Sequence, residues 1–141
     1  MKNVFMLPIV AQSYDAYYET ESGRQIDAIE KEILSELLKN VTFDEMLELG
    51  CGTGHWTQFF INSGFKVTAV DRSKAMLEYA YQKDIDAEFL EGNAEKLPFA
   101  DGSFPVVASV TMLEFVENRQ AVLSEINRVL KPGGYLLLGC L

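Results

Sequence analysis

Apolar residues recur along this chain in two rhythms, one helical and one alternating. Between Arg24 and Lys39, Ile26, Ile29, Ile33, Leu34, Leu37 and Leu38 fall at helical spacing, predicting a helix with all six on its inner face. Asn40 is its stop, and Phe43 to Leu49 reads as a first strand. Thr53 to Asn62 returns to helical spacing with Trp56, Phe59 and Phe60, and Ser63-Gly64 closes it. Phe65 to Val70 alternates and is β-branched, a second strand ending at Asp71. Ser73 caps a helix through Gln82 that turns Ala75, Met76, Tyr79 and Ala80 inward. Asp86 to Leu90 is a short third strand, residues 92–99 a loop and Asp101-Gly102 a turn. Val106 to Thr111 is nearly all apolar, as a strand buried on both faces should be. Glu117 to Leu130 is a helix facing inward through Val122, Leu123, Ile126, Val129 and Leu130. Lys131-Pro132-Gly133-Gly134 breaks it, and Tyr135 to Leu141 is a fifth strand. Ahead of all this, residues 1–13 carry little pattern and read as a loose lead-in, followed by the aromatic cluster Tyr14-Asp15-Ala16-Tyr17-Tyr18.

Strand and helix alternate with no repeat and no linker. That is the signature of an α/β doubly wound sheet, here one domain over 1–141 with a helical lead-in (1–40) and an α/β core (43–141). Such sheets bind ligands beyond the carboxyl ends of their strands. Those ends are Gly50–Gly54, Asp71, Asn93-Ala94 and Thr111–Phe115.

The first of these ends is the most informative. Glu48-Leu49-Gly50-Cys51-Gly52-Thr53-Gly54 places three glycines on alternate positions between a strand and a helix. Glycine lets main chain approach a ligand closely, so such a turn invites a ligand laid against bare backbone. An acid about twenty residues on, here Asp71, suits the ribose of either a dinucleotide or S-adenosylmethionine. A dinucleotide prefers Gly-x-Gly-x-x-Gly, and the spacing here is one residue short. The charge of Glu48 would repel a pyrophosphate and favour an ammonium, while amides opening the helix at Thr53 could meet a carboxylate. The glycine spacing and Glu48 therefore favour the sulfonium cofactor.

Composition narrows the class. Among 141 residues, 21 acids against 12 bases give a net charge of −9 without a Lys/Arg cluster, which argues against a nucleic-acid partner. Cys51 and Cys140 do not make a disulfide framework, so a cytoplasmic location is expected. No apolar run nears the roughly 18 residues of a membrane span, and Met1 to Val10 lacks the long apolar core of a signal peptide.

Four blocks carry a resemblance: Glu48–Gly54, Val70-Asp71-Arg72-Ser73, residues 92–99 with Asp101-Gly102-Ser103-Phe104, and Leu130-Lys131-Pro132-Gly133-Gly134. In this order the chain resembles the class I S-adenosylmethionine-dependent methyltransferases, in particular the small-molecule branch that includes ubiquinone-biosynthesis-type enzymes. The resemblance implies a Rossmann-like sheet of order 3-2-1-4-5 with helices on both faces, and transfer of a methyl group to a small-molecule acceptor. It implies that Gly50 and Gly52 touch the methionine moiety through main chain, with Glu48 supporting the ammonium, and that Cys51 and Gly54 belong to the same cofactor-binding turn. Asp71 would hold the ribose, Arg72 and Met76 would flank the adenine, and Asn93 and Ala94 would meet the adenine edge. Thr111, Met112 and Leu113 would lie beside the methyl donor, and Tyr14 would face the cofactor. No metal is implied.

The chain departs from the family twice. Pro105 stands where an acid is usual, which predicts a local change at the entry of strand four. The family's last two strands have no counterpart in the sequence, so strand five is expected at a sheet edge, paired with or covered by a second copy. A non-catalytic cofactor-binding module, or a fragment needing a partner, is the alternative reading. His55, the only histidine, opens a helix and is read as packing. Cys51 has no base near it in sequence, and Glu114 and Glu117 suit either a substrate mouth or a solvated helix start.

Overall fold

The computed structural model describes residues 3–140. Its centre is one parallel sheet, built from β1 (Glu45–Leu49), β2 (Lys66–Asp71), β3 (Glu88–Glu91), β4 (Phe104–Val110) and β5 (Leu130–Gly139). The order β3-β2-β1-β4-β5 is the one the resemblance implied. Before β1 run α1 (Pro8–Tyr14), α2 (Ala16–Glu19) and α3 (Glu21–Leu38). The crossovers carry α4 (His55–Asn62), α5 (Lys74–Gln82) and α6 (Arg119–Val129).

Strand alternation sorts the core into two layers. Met46, Val67, Ala69, Val106 and Ala108 face one way, where Leu34 and Leu38 of α3, Trp56 and Phe60 of α4 and Leu77 of α5 cover them. Leu47, Leu49, Val70 and Val107 face the other way, onto Val122, Ile126 and Val129 of α6. All seven residues of β4 are buried, as its nearly continuous apolar run predicted. Truncating a side chain as enclosed as Phe60 would cost about 3–5 kcal/mol. Three caps set helix starts: Thr20 accepts from the Gly23 amide, Ser73 from that of Met76, and Asn118 from that of Ala121.

Several expectations change. Described residues 3–13 are not a loose lead-in: Val4–Met6 makes a 3-10 turn, and α1 follows it across the carboxyl end of the sheet. The apolar stripe of α3 is only partly buried. Leu34 and Leu38 face the sheet, while Ile26, Ile29, Ile33 and Leu37 are exposed, because one helix resting on one layer buries a narrower arc than the six residues span. Tyr79 is half-buried and Leu77 takes the inner position, and Leu123 points outward. Residues 131–134 end α6 but are absorbed into β5 as a bulge, where the register jumps between Phe104 and Val106. Pro105 sits at that irregularity, where a ladder amide is not needed. A Cβ on Gly134 would lie 2.6 Å from the Pro105 carbonyl oxygen, so only glycine lets β5 close on β4 there. Leu141, expected in the fifth strand, lies outside the described residues.

β5 is an edge strand, and Tyr135, Leu136 and Leu138 on it are exposed. No helix among the described residues is long and apolar enough to cross a membrane.

Candidate functional site

Beyond the carboxyl ends of β1, β2 and β4 lies a cavity of about 540 Å3, within the usual range for a ligand pocket. Its floor is the glycine turn. Gly50, Gly52 and Gly54 all have positive φ, at 75°, 54° and 87°. The turn is tied down by its own amides: Gly50 and Cys51 both donate to the Val70 carbonyl, Gly54 to that of Cys51, and Gly52 to the Asp71 carboxylate at 2.7 Å. The second Asp71 oxygen accepts from the Ser73 amide, also at 2.7 Å. Burial pushes the Asp71 carboxyl up, and these two amides oppose that shift. Each of its oxygens keeps a free lone pair for a ligand.

Eleven residues named from the sequence line this cavity: Tyr14, Gly50, Cys51, Gly52, Asp71, Arg72, Met76, Asn93, Ala94, Thr111 and Met112. Three do not. Gly54 caps α4 and lies in a smaller hollow behind the turn, and Leu113 packs into the α6-side core. Glu48 is the larger correction. It is only 2% exposed, sealed beneath the turn, with its carboxyl accepting from the Thr57 hydroxyl. Burial drives its pKa up to about 8, with the nearby Asp71 adding to the rise, so at neutral pH the group is mostly protonated. In the ligand-free chain it is therefore a buried acid beneath the turn rather than an exposed charge on the cavity wall. Cys51 is also buried, and burial together with Glu48 and Asp71 raises its thiol well above the ordinary range, so it is inert as a nucleophile.

The wall after β4 is strained. Thr111 has φ 53°, a region that a β-branched residue rarely enters. Its amide donates to the Gly139 carbonyl at 2.7 Å, which holds it there. The turn that follows lays the Met112 side chain over Gly50, where a Cβ would sit 2.6 Å from it. Nearby, both carboxylate oxygens of Glu114 are shielded from water and carry no hydrogen bond. Glu117 is exposed.

The roof comes from the segment expected to be loose. Phe5 packs edge-on against Tyr14 and Phe115, and Tyr14 against Tyr18. Polar contacts pin this roof to the core: Ser73 donates to the Phe5 carbonyl at 2.6 Å, Thr53 donates to Asp15, and Lys83 pairs with Asp15 at 2.8 Å. Gly23 permits the α2–α3 corner, because a Cβ there would lie 1.9 Å from the Tyr17 carbonyl oxygen. His55 lines the cavity, stacks on Tyr18 at 3.6 Å and bonds through Nε2 to Asp27 at 2.6 Å. Burial lowers the His55 pKa, so the neutral ring donates to an Asp27 carboxylate. Burial raises Asp27, but Lys31 and His55 outweigh it and hold the carboxyl below its usual value. Phe5, Val10, Tyr18, Glu30 and His55 are cavity residues that sequence pattern did not assign; their signal lies in contacts between segments far apart in the chain.

Residues 47–138 match a family model described as a methyltransferase domain. The chain belongs to the methyltransferase domain family. It is 34% identical over 133 residues to a malonyl-[acyl-carrier protein] O-methyltransferase of Yersinia pestis, covering 93% of this chain and 47% of the relative. It is 37% identical over 133 residues to a demethylmenaquinone methyltransferase of Lactococcus lactis, covering 89% and 52%. The chain thus spans about half the length of these curated relatives. A solved S-adenosylmethionine-dependent methyltransferase of Thermotoga maritima, described as a possible histamine N-methyltransferase, aligns with a TM-score of 0.69 at 28% identity, covering 94% of this chain and 59% of that one. A Methanococcus maripaludis structure aligns with a TM-score of 0.81 at 21% identity over 93% and 62%, which speaks for the fold.

The family's cofactor is S-adenosylmethionine, and the cavity suits it. Asp71 offers free lone pairs where a diol would lie, and the glycines leave bare main chain at the floor. Arg72 is the only Lys or Arg among the described lining residues, so no basic cluster for a pyrophosphate is formed by them.

Proposed function

We propose that this chain binds S-adenosylmethionine and transfers its methyl group to a small-molecule acceptor. The observation that carries this is the Asp71 carboxylate, fixed by the Gly52 and Ser73 amides at the edge of a glycine-floored cavity. When bound, the sulfonium would supply an activated methyl group for transfer to a nucleophilic acceptor. What the protein contributes is placement. Asp71 holds the ribose hydroxyls, while Arg72, Met76, Asn93 and Ala94 frame the base. Met112, locked over Gly50 by the strained Thr111, fixes the wall beside the reacting methyl. The aromatic roof keeps water out, and such positioning supplies up to about 7–11 kcal/mol in ideal cases. Burial keeps the His55 ring uncharged with its Nε2 taken up by Asp27, and holds the Cys51 thiol protonated, so neither is given a role in the transfer.

Calorimetry tests the reading. S-adenosylmethionine and its demethylated product should bind, and NAD much more weakly. NAD binding with no response to the sulfonium cofactor would overturn it. Methyl transfer is then read by mass spectrometry across an acceptor panel.

The same reading takes the chain to be cytoplasmic, supported by two free thiols, with no nucleic-acid partner given its charge. It also takes β5 to pair with or be covered by a second copy. Leu136 and Leu138 are exposed on that edge strand, and unpaired edges seek partners. Light scattering over a dilution series decides: a clean monomer at high micromolar concentration rules this assembly out.

A further inference from the structure

We infer that the acceptor subsite selects small apolar molecules carrying a positively charged amine, with Glu30 as the counter-charge. This rests on the methyltransferase reading and names the chemistry its acceptor must have. In the methyltransferase reading the lining residues from Gly50 to Met112 take the cofactor side of the cavity, with Tyr14 at its boundary, and the remaining space lies under the roof. Its walls there are Phe5, Tyr14, Tyr17, Tyr18 and Phe115. These rings form one unbroken train, with centroid separations of 4.8 Å for Phe115–Phe5, 6.1 Å for Phe5–Tyr14, 5.9 Å for Tyr14–Tyr18 and 5.4 Å for Tyr18–Tyr17. Aromatic walls favour flat apolar groups, and their π-faces attract cations.

The charge at this end has one sign. Glu30, half-buried on α3, lines the cavity and makes no ion pair among the described residues, while its neighbour Asp27 is taken up by Lys31 and His55. Burial and Asp27 raise the Glu30 carboxyl, and its charge reaches both the Tyr14 and the Tyr18 hydroxyls. Among the described lining residues, Glu30, Asp71 and Glu95 stand against Arg72 alone, and Arg72 directly follows β2 on the adenosine side. Among the described residues, a carboxylate acceptor would therefore enter a negative pocket with no cation at this end to meet it. A protonated amine would find an unclaimed carboxylate among aromatic rings.

The test uses the full chain saturated with S-adenosylhomocysteine, titrated with 2-phenylethylamine, 2-phenylethanol and 3-phenylpropionate, which share one ring and differ in charge. The amine should bind roughly tenfold more tightly than the alcohol, about the sum of an exposed ion pair and a cation–π contact, and the carboxylate more weakly than either. Glu30→Gln should erase the amine's advantage while leaving the alcohol and S-adenosylhomocysteine within about twofold. The inference is overturned if the carboxylate binds as well as the amine, if Glu30→Gln leaves the amine unchanged, or if no amine binding is detected up to millimolar concentration. S-adenosylhomocysteine affinity is measured first. Its absence overturns the methyltransferase reading and this inference with it, whereas cofactor binding without amine preference overturns the inference alone.

Discussion

Replacing Glu48 by Gln isolates the energy held in a buried acid. The folded-state pKa of about 8 stands well above the ordinary 4.5, chiefly because burial penalises the charged form. The sign follows from proton counts. Between pH 4.5 and 8 the folded chain holds a proton on Glu48 that the unfolded chain has lost, so stability falls as pH rises through this window. The slope is at most about 1.4 kcal/mol per pH unit, giving a loss of roughly 4 kcal/mol from pH 5 to pH 8. Glutamine accepts from Thr57 as the protonated acid does and carries no titrating proton, so the variant should match wild type near pH 5. At pH 8 it should be the more stable of the two. For a chain of this size each kcal/mol moves the melting temperature by roughly 3 °C, so the two curves should part by about 10 °C across the window. Scanning calorimetry at half-unit steps from pH 5 to 9 reads this directly. Parallel profiles for the two proteins would show that Glu48 does not titrate in this range and would refute the reasoning.

The other substitutions probe the turn, its wall and the roof. Asp71→Ala removes the acceptor of the Gly52 amide as well as a ligand contact, so cofactor affinity should fall roughly 10- to 100-fold by calorimetry; unchanged affinity would take Asp71 out of the site. Thr111→Gly relieves a positive φ that costs about 1–2 kcal/mol but adds backbone freedom. Denaturant unfolding should show a change between zero and a gain of about 1 kcal/mol, with weaker cofactor binding as Met112 loosens; a loss of stability beyond that argues against strain. His55→Ala breaks the bond to Asp27 and the stack on Tyr18, so stability should drop by about 1–3 kcal/mol with cofactor affinity within a few-fold. Total loss of turnover with intact binding would instead assign His55 to the chemistry.

The sheet was legible because its signals are local. Alternation in β2 and the nearly continuous run of β4 follow from a two-residue repeat facing two covered layers. The glycine turn and Asp71 were legible for a related reason: positive φ demands a residue type, and strand ends demand position. The rest depended on distance along the chain. Ser73 meets Phe5 across 68 residues and Thr53 meets Asp15 across 38, and no window of sequence displays such pairs. Periodicity assigned all six apolar residues of α3 to one face, but it cannot say how wide a contact the sheet offers. The acid type of Glu48 was visible in the sequence, and its depth beneath the turn was not.

The segregation of roof from floor has a consequence for how such a protein changes its diet. In the proposed reading, cofactor contacts come mainly from the middle of the chain, whereas the wall facing the acceptor comes from residues 5–30 and Phe115. Acceptor range can therefore be reshaped by exchanging the opening segment without disturbing the glycine turn. A transplanted roof must bring only its three moorings: a backbone carbonyl for Ser73, an acid for Thr53 and Lys83, and an acid for His55. Those few matching groups define the plug and socket through which new entrance segments would be fitted to an unchanged engine.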